Sequence, residues 1–262
     1  MNYFLVKSYI KYRFTARFKK GHGVHSPFVF DLVRELIYCK WPFYAFNVIN
    51  AYRKKLNLSQ QTIQMADYGA GSTAFGSHER KISDIAAKSS INRKYGEVLF
   101  RMVHRFKPRN IIELGSSLGI STCYLTMPDK GCKVYSIEGC ENTAQIARKT
   151  MADVHCSNVE IINGQFQDVL PELVSSIDQL DFVFFDGHHE KNATIDYFNM
   201  CLLKAWNNTV FVFDDIHWSK GMEEAWNIIT NHPSVTVSID LFQLGIVFFR
   251  KECKKQHFVV KY

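Results

Sequence analysis

The chain has no C-x-x-C pair anywhere. Its seven cysteines, at 39, 123, 132, 140, 156, 201 and 253, are scattered and odd in number. A zinc site wants clustered ligands and a disulfide framework wants even pairing, so reduced thiols in a cytoplasmic protein are expected. Long apolar runs are also missing. No stretch approaches the roughly 20 apolar residues of a membrane-spanning helix. The opening segment, MNYFLVKSYIKYRFTARFKK, has too short an apolar core for a signal peptide. Internal repeats and low-complexity segments are absent, which excludes solenoids and leaves a globular reading.

What remains is ample for a core. Of the 262 residues 47% are hydrophobic and 14% aromatic, enough for one α/β domain with an extension or for two small domains. The net charge of +7 is unevenly spread. Residues 1–60 hold 11 Lys and Arg against two Asp and Glu, so the rest of the chain holds 21 against 23. The basicity therefore belongs to the N-terminal extension, and the body is slightly acidic. A nucleic-acid enzyme more often carries its basic surface around the active site, so nucleic acid is an unlikely partner. The mixed aromatic and basic pattern of residues 3–18 fits either packing on its own domain or weak contact with a membrane surface.

Along the chain, Ser26 and Pro27 form a helix start, as N-cap and first helical residue. Residues 41–65 look helical again. The stretch 67–90, beginning DYGAGSTAFG, is rich in Gly, Ser and Ala with no strand expected before it, and reads as a connector or a lid. From residue 91 the pattern alternates: apolar runs at NIIELG, KVYSIE, NVEIIN, DFVFFD and TVFVFD are separated by helical segments. SVTVSIDLF and GIVFFR then read as a hairpin-like pair. Wholly apolar strands alternating with helices mean a mostly parallel sheet covered on both faces. The expectation is a doubly wound, Rossmann-like α/β domain over 91–262. It has a mostly parallel seven-stranded sheet, an antiparallel C-terminal hairpin and a helical N-terminal extension over 1–66.

In such folds ligands sit beyond the carboxyl ends of the strands. Polar residues gather there: Glu113 to Thr122 after the first strand, Glu138-Gly139 after the second and Gly164 to Asp168 after the third. Asp186-Gly-His188-His189 follows the fourth strand, and Asp214-Asp215-Ile-His217-Trp218 the fifth. The spacing Gly115 to Gly119 is neither the G-x-G-x-x-G of dinucleotide binders nor a phosphate-binding P-loop. Glu138 is placed to accept hydrogen bonds from both ribose hydroxyls. Glu113 beside the glycine turn would repel a pyrophosphate. A cationic nucleoside without phosphates answers both, and S-adenosylmethionine fits.

On these motifs residues 91–249 resemble class I S-adenosylmethionine-dependent methyltransferases, and within them small-molecule O-methyltransferases of the catechol type. The whole chain, with GVHSPF and DYGAGS, is similar to a bacterial group of such enzymes. The resemblance implies a small-molecule acceptor and cofactor contacts from Glu113, Gly115, Ser117, Gly119 and Ser121, the last toward the methionine carboxylate. Glu138 and Gly139 would bind at the ribose, Phe166 and Gln167 at the adenine, with Asp186 also at the cofactor. Asp186, Asp214 and Asp215 would hold a divalent metal, Mg²⁺, although the catechol type has Asp-Asn where this chain has Asp214-Asp215. His189 stands where that type has a lysine; with Asp186 it is the candidate catalytic pair. A homodimer is common among such enzymes. A metal-dependent hydrolase, a nucleic-acid methyltransferase and an inactive cofactor-binding module stay open as alternatives.

Overall fold

The computed structural model describes residues 3–65 and 78–262. The chain opens with α1 (Tyr3–Thr15), a 3-10 turn (Lys19–Gly21), and α2 (Pro27–Asp31), which runs into a π-helical stretch (Leu32–Ile37). Then come α3 (Tyr44–Asn57), β1 (Thr62–Met65), β2 (His78–Lys81), α4 (Ile82–Ser89) and α5 (Arg93–Phe106). The alternating part follows as β3 (Asn110–Leu114), α6 (Ile120–Thr126), β4 (Lys133–Glu138), α7 (Glu141–Asp153), β5 (Val159–Asn163) and α8 (Phe166–Ser176). It continues as β6 (Leu180–Phe185), α9 (Lys191–Leu202), β7 (Ala205–Phe213), α10 (Lys220–Asn231), β8 (Val237–Asp240), β9 (Gly245–Phe248) and β10 (Gln256–Val259). Two compact units result: Trp41–Ile177, and Met1–Lys40 together with Asp178–Tyr262.

In the unit Trp41–Ile177, β3, β4 and β5 lie side by side and parallel. The register sets Glu113 opposite Ser136 and Glu138 opposite Asn163. Ile111, Ile112, Val134 and Ile137 are fully enclosed, as strands covered on both faces require. Asn92 caps α5 by accepting from the Lys94 N–H at 3.0 Å.

One expectation fails in this unit. The helical reading of 41–65 holds only to Asn57, because Thr62–Met65 is a strand paired antiparallel with His78–Lys81. Its two-residue alternation, Thr62 and Gln64 exposed against half-buried Ile63 and Met65, is too short to stand out beside a helical segment. MADYGAGSTAFG therefore does follow a strand, β1. Residues 66–77, the centre of the expected connector or lid, lie outside the described residues.

In the other unit, β6 and β7 are parallel, β7, β9 and β8 are successively antiparallel, and β10 adds to β8 in parallel. The C-terminal hairpin forms as expected. β10 does not figure in the seven-strand expectation, because its four residues sit inside a basic tail. Apart from the β1–β2 pair, eight strands are described, β3 to β5 in one unit and β6 to β10 in the other, against the expected seven. Residues 3–40 pack within this same unit. The Tyr12 hydroxyl donates to the Val260 carbonyl at 2.5 Å, the Tyr38 hydroxyl to the Lys261 carbonyl, and the Arg17 N–H to the Val259 carbonyl at 2.9 Å. Ser26 accepts from the Val29 N–H with Pro27 as first helical residue, the predicted start.

The architecture is α/β, with mostly parallel strands, the antiparallel C-terminal hairpin and the antiparallel β1–β2 pair. All seven cysteines are free. Among the described residues no helix is long and apolar enough to cross a membrane.

Candidate active site

The unit Trp41–Ile177 builds a cradle from three strand ends. After β3 the backbone turns through positive φ at Gly115 (102°), Ser117 (45°) and Gly119 (85°). Gly119 is the N-cap of α6, and a Cβ there would lie 3.3 Å from Ala147 Cα on α7. Its glycine thus serves both the left-handed turn and the close packing of two helices. Thr150 ties the same crossing, donating to the Leu118 carbonyl at 2.7 Å.

Glu138 leaves the end of β4 and folds back onto this turn. Its Oε2 accepts from the Ser117 N–H at 2.8 Å and its Oε1 from the Cys140 N–H at 3.0 Å. Burial raises its pKa, and those two N–H bonds oppose the rise. Asn163, at the end of β5, donates to the carbonyls of Glu138 at 2.9 Å and Gly139 at 3.2 Å, locking the second turn to the third strand. Phe166 opens α8 half-buried, and Gln167 is exposed with its amide on Gln165. Ser121 is buried in the first turn of α6.

Glu113 departs from expectation. It is 0% exposed, and its Oε2 accepts from Thr122 and Ser136, each at 2.6 Å. Burial lifts its pKa to about 7, against the pull of those hydroxyls. A side chain so enclosed offers no surface to a ligand, and the expected direct cofactor contact is corrected. Glu113 instead staples α6 to β4 beneath the turn. Ser136 and Asn163 are the residues that sequence reading missed. Only the register of β3, β4 and β5 reveals them.

One contact links the cradle's rim to β1. The Gln64 carbonyl accepts from the Asn142 amide at 2.6 Å, beside Cys140. The β1–β2 hairpin is thereby rooted at the N-terminus of α7, next to Glu138 and Gly139.

The other unit carries the acidic and histidine residues. Parallel pairing of β6 with β7 sets Phe185 opposite Phe213, their rings stacked at 4.3 Å. The next residues, Asp186 and Asp214, therefore emerge together, with the Asp214 N–H donating to the Phe185 carbonyl at 2.9 Å. Asp214 is 5% exposed, and its Oδ1 has no hydrogen-bond partner. Burial and the charge of Asp215 push its pKa to about 8, while hydrogen bonding with the Asp215 backbone, Asp186 and Gln243 resists. Burial also raises Asp215, with the charge of His189 opposing. Burial lowers His189, against the charge of Asp215 and with that of His188, so its ring is neutral near pH 7. His189 Nε2 stands 3.9 Å from Asp186 Oδ1. His188, at φ 53°, turns to Tyr197, 3.4 Å from its hydroxyl.

His217 belongs elsewhere. Its Nε2 pairs with Asp240 at 2.8 Å and its ring stacks on Phe242 at 5.3 Å, a packing role. Trp218 is about half exposed.

The trio Asp186, Asp214 and Asp215 does not fit a divalent cation. Among the described residues no three His, Cys, Asp or Glu side chains are gathered as a metal-holding set.

The motif-bearing stretch also matches a family by sequence: residues 112–216 fit the family described as "Methyltransferase domain". That match, the relatives and the fold together support a class I S-adenosylmethionine-dependent methyltransferase. It is 28% identical over 131 residues to the catechol O-methyltransferase of Niastella koreensis, an alignment spanning 48% of this chain and 58% of that relative's length. Among solved structures, the Bacillus cereus O-methyltransferase in complex with S-adenosylhomocysteine superposes with a TM-score of 0.56 at 18% identity. It covers 82% of this chain and 94% of that one. The Streptomyces achromogenes O-methyltransferase TomG, involved in tomaymycin synthesis and solved with S-adenosylmethionine, gives 0.58 at 16% identity, over 84% and 95%. At such identities these structures share the methyltransferase fold. The domain's fingerprint is the succession of strand ends, because the β3 turn by itself resembles any glycine-bearing connector.

Proposed function

We propose that this chain transfers the methyl group of S-adenosylmethionine to a hydroxyl oxygen of a small molecule. One observation carries the cofactor half of the reading. Glu138 is held at the end of β4 by two backbone N–H groups, one of them from the glycine turn. A carboxylate so fixed presents its remaining lone pairs to a pair of vicinal hydroxyls, the geometry a ribose asks for. The turn 115–121 would take the methionine part, Gly139 the ribose side, and Phe166 and Gln167 the adenine. Asp186, half-buried at the end of β6, is assigned with His189 to the reacting end. The O-methyltransferases that the chain resembles support a hydroxyl acceptor.

In the reaction the acceptor oxygen attacks the sulfonium methyl carbon as the S–CH₃ bond breaks. A methyl ether and S-adenosylhomocysteine form, and the hydroxyl proton passes to His189. Alignment of donor and acceptor can supply about 7–11 kcal/mol of the barrier, and a positioned base a further factor of about 10²–10⁴. No step is routed through Mg²⁺, since the carboxylates do not form its site.

Calorimetric titration of S-adenosylmethionine and S-adenosylhomocysteine into the wild type and Glu138→Ala tests the cofactor assignment. Binding of both to the wild type, lost in the variant, supports it. Failure of the wild type to bind either ligand sinks it.

A further inference from the structure

Helix α1 is apolar on two opposite faces. Ser8 and Tyr12 point inward and are buried. Tyr12 holds the Val260 carbonyl, Tyr9 and Tyr12 pack on Phe242, and Ser8 and Lys11 reach Glu223 at 3.3 and 2.9 Å. That inner face explains why the helix docks on its own unit. The outer face has no such explanation. Tyr3, Ile10 and Phe14 fall on one stripe at helical spacing, with Val6 at its edge. Phe14 is 85% exposed, Tyr3 82% and Ile10 52%.

Five of the twelve large apolar side chains that stand exposed among the described residues lie in this one 13-residue helix. A helix that only packed on its own domain would turn polar residues outward. Basic residues flank the stripe, with Lys7 on one side and Arg13 on the other, both exposed. Residues 1–30 contain six Lys and Arg (7, 11, 13, 17, 19 and 20), and the first acidic residue of the chain is Asp31.

We propose that the outer face of α1 docks on an anionic lipid bilayer surface, with Tyr3, Ile10 and Phe14 entering the headgroup–acyl boundary and the flanking basic residues meeting lipid phosphates and carboxylates. The combination of charge and apolar area favours this occupant over two others. A second copy would bring a like-charged face against this one, which repels. A nucleic acid would satisfy the charges yet leave aliphatic Ile10 and Val6 without a partner, whereas a bilayer takes up both charge and apolar area. The chain would then work as a peripheral enzyme able to reach acceptors dissolved in, or leaving, the membrane.

The test is vesicle co-sedimentation of the full chain. Its arms are wild type, Ile10→Asp/Phe14→Asp, and Lys7→Ala/Arg13→Ala, with phosphatidylcholine vesicles lacking or containing roughly 30 mol% phosphatidylserine. Thermal melting serves as the fold control, because all four substituted residues are exposed. Wild type should partition at least about tenfold more strongly onto the anionic vesicles, with the preference falling as salt rises. Either double variant should lose most of that binding while melting like the wild type. Equal binding to both vesicle types, or none, overturns the proposal. So does unchanged vesicle binding by the Ile10/Phe14 variant, or an outer face that instead drives dimerisation in light scattering or binds only nucleic acid.

Discussion

The Ser117 backbone N–H donates to Glu138 Oε2 at 2.8 Å, so the glycine turn after β3 and the carboxylate ending β4 form one rigid unit before any ligand arrives. The turn orients the acid, and the acid keeps the turn in its left-handed conformation. Glu138→Gln retains the shape but replaces one acceptor oxygen with an NH₂ group facing a backbone N–H. A hydrogen bond to a charged group contributes about 1.5–3 kcal/mol, so S-adenosylhomocysteine should bind roughly 10- to 150-fold more weakly. Titration calorimetry reads this directly, and an affinity within twofold of wild type would remove Glu138 from the ribose.

His189 is neutral at pH 7 because burial lowers its pKa from the ordinary histidine range; the charge of Asp215 opposes this and that of His188 adds to it. If it takes the acceptor's proton, kcat/KM should hold level through pH 7 and fall with unit slope only below about 6.5. His189→Gln should lower kcat by about 10²–10⁴-fold and erase that acid limb. A variant that keeps both rate and pH profile shows that the proton goes elsewhere.

Asp214 predicts a stability slope of unusual sign. Its pKa is raised from 3.8 to about 8, chiefly by burial and then by the charge of Asp215. A raised folded-state pKa gives stability that is fully present below the unfolded value and lost as pH climbs through the folded one. From this group, therefore, the wild type loses stability between about pH 4 and 8. Asp214→Asn should flatten that contribution and raise the melting temperature at pH 8. Denaturant melts at pH 5 and 8 check it: an unchanged difference between the two pH values means that Asp214 ionises freely.

Methyl transfer should survive EDTA, with saturating Mg²⁺ altering the rate less than about twofold, because no three carboxylate or histidine side chains among the described residues form a metal set. A loss beyond about tenfold, restored by Mg²⁺, would show that the carboxylates rearrange to bind the ion.

Gly119→Ala combines a φ of 85° with a Cβ 3.3 Å from the backbone of α7. Strain and overpacking together should destabilise the fold by about 1–3 kcal/mol, seen as a lower urea midpoint. A midpoint equal to wild type would mean that α6 and α7 separate without cost.

Much of this could be read from residue order. Short apolar runs such as NIIEL and FVFF, alternating with helical segments, read as covered parallel strands, and the residues ending them gather where the fold accepts ligands. Glu138 was legible because one carboxylate at a strand end needs no partner to be placed. Glu113 was misjudged because its neighbours along the chain are a glycine turn, whereas its neighbours in space are the Ser136 and Thr122 hydroxyls. β1 and β10 escaped notice because each is a four-residue strand with exposed polar positions, TIQM following a helical segment and QHFV inside a basic tail, so neither shows the apolar run that marks β8 and β9.

The sequence by itself determined the α/β alternation, the turn glycines and which side chains terminate each strand, since these depend on local pattern and chain order. Only the tertiary structure decided what those side chains meet. Strand register buried Glu113, brought Asp186 and Asp214 out together, and sent His217 to Asp240. Such pairings join residues distant in sequence, and their protonation states follow from burial that local sequence does not encode.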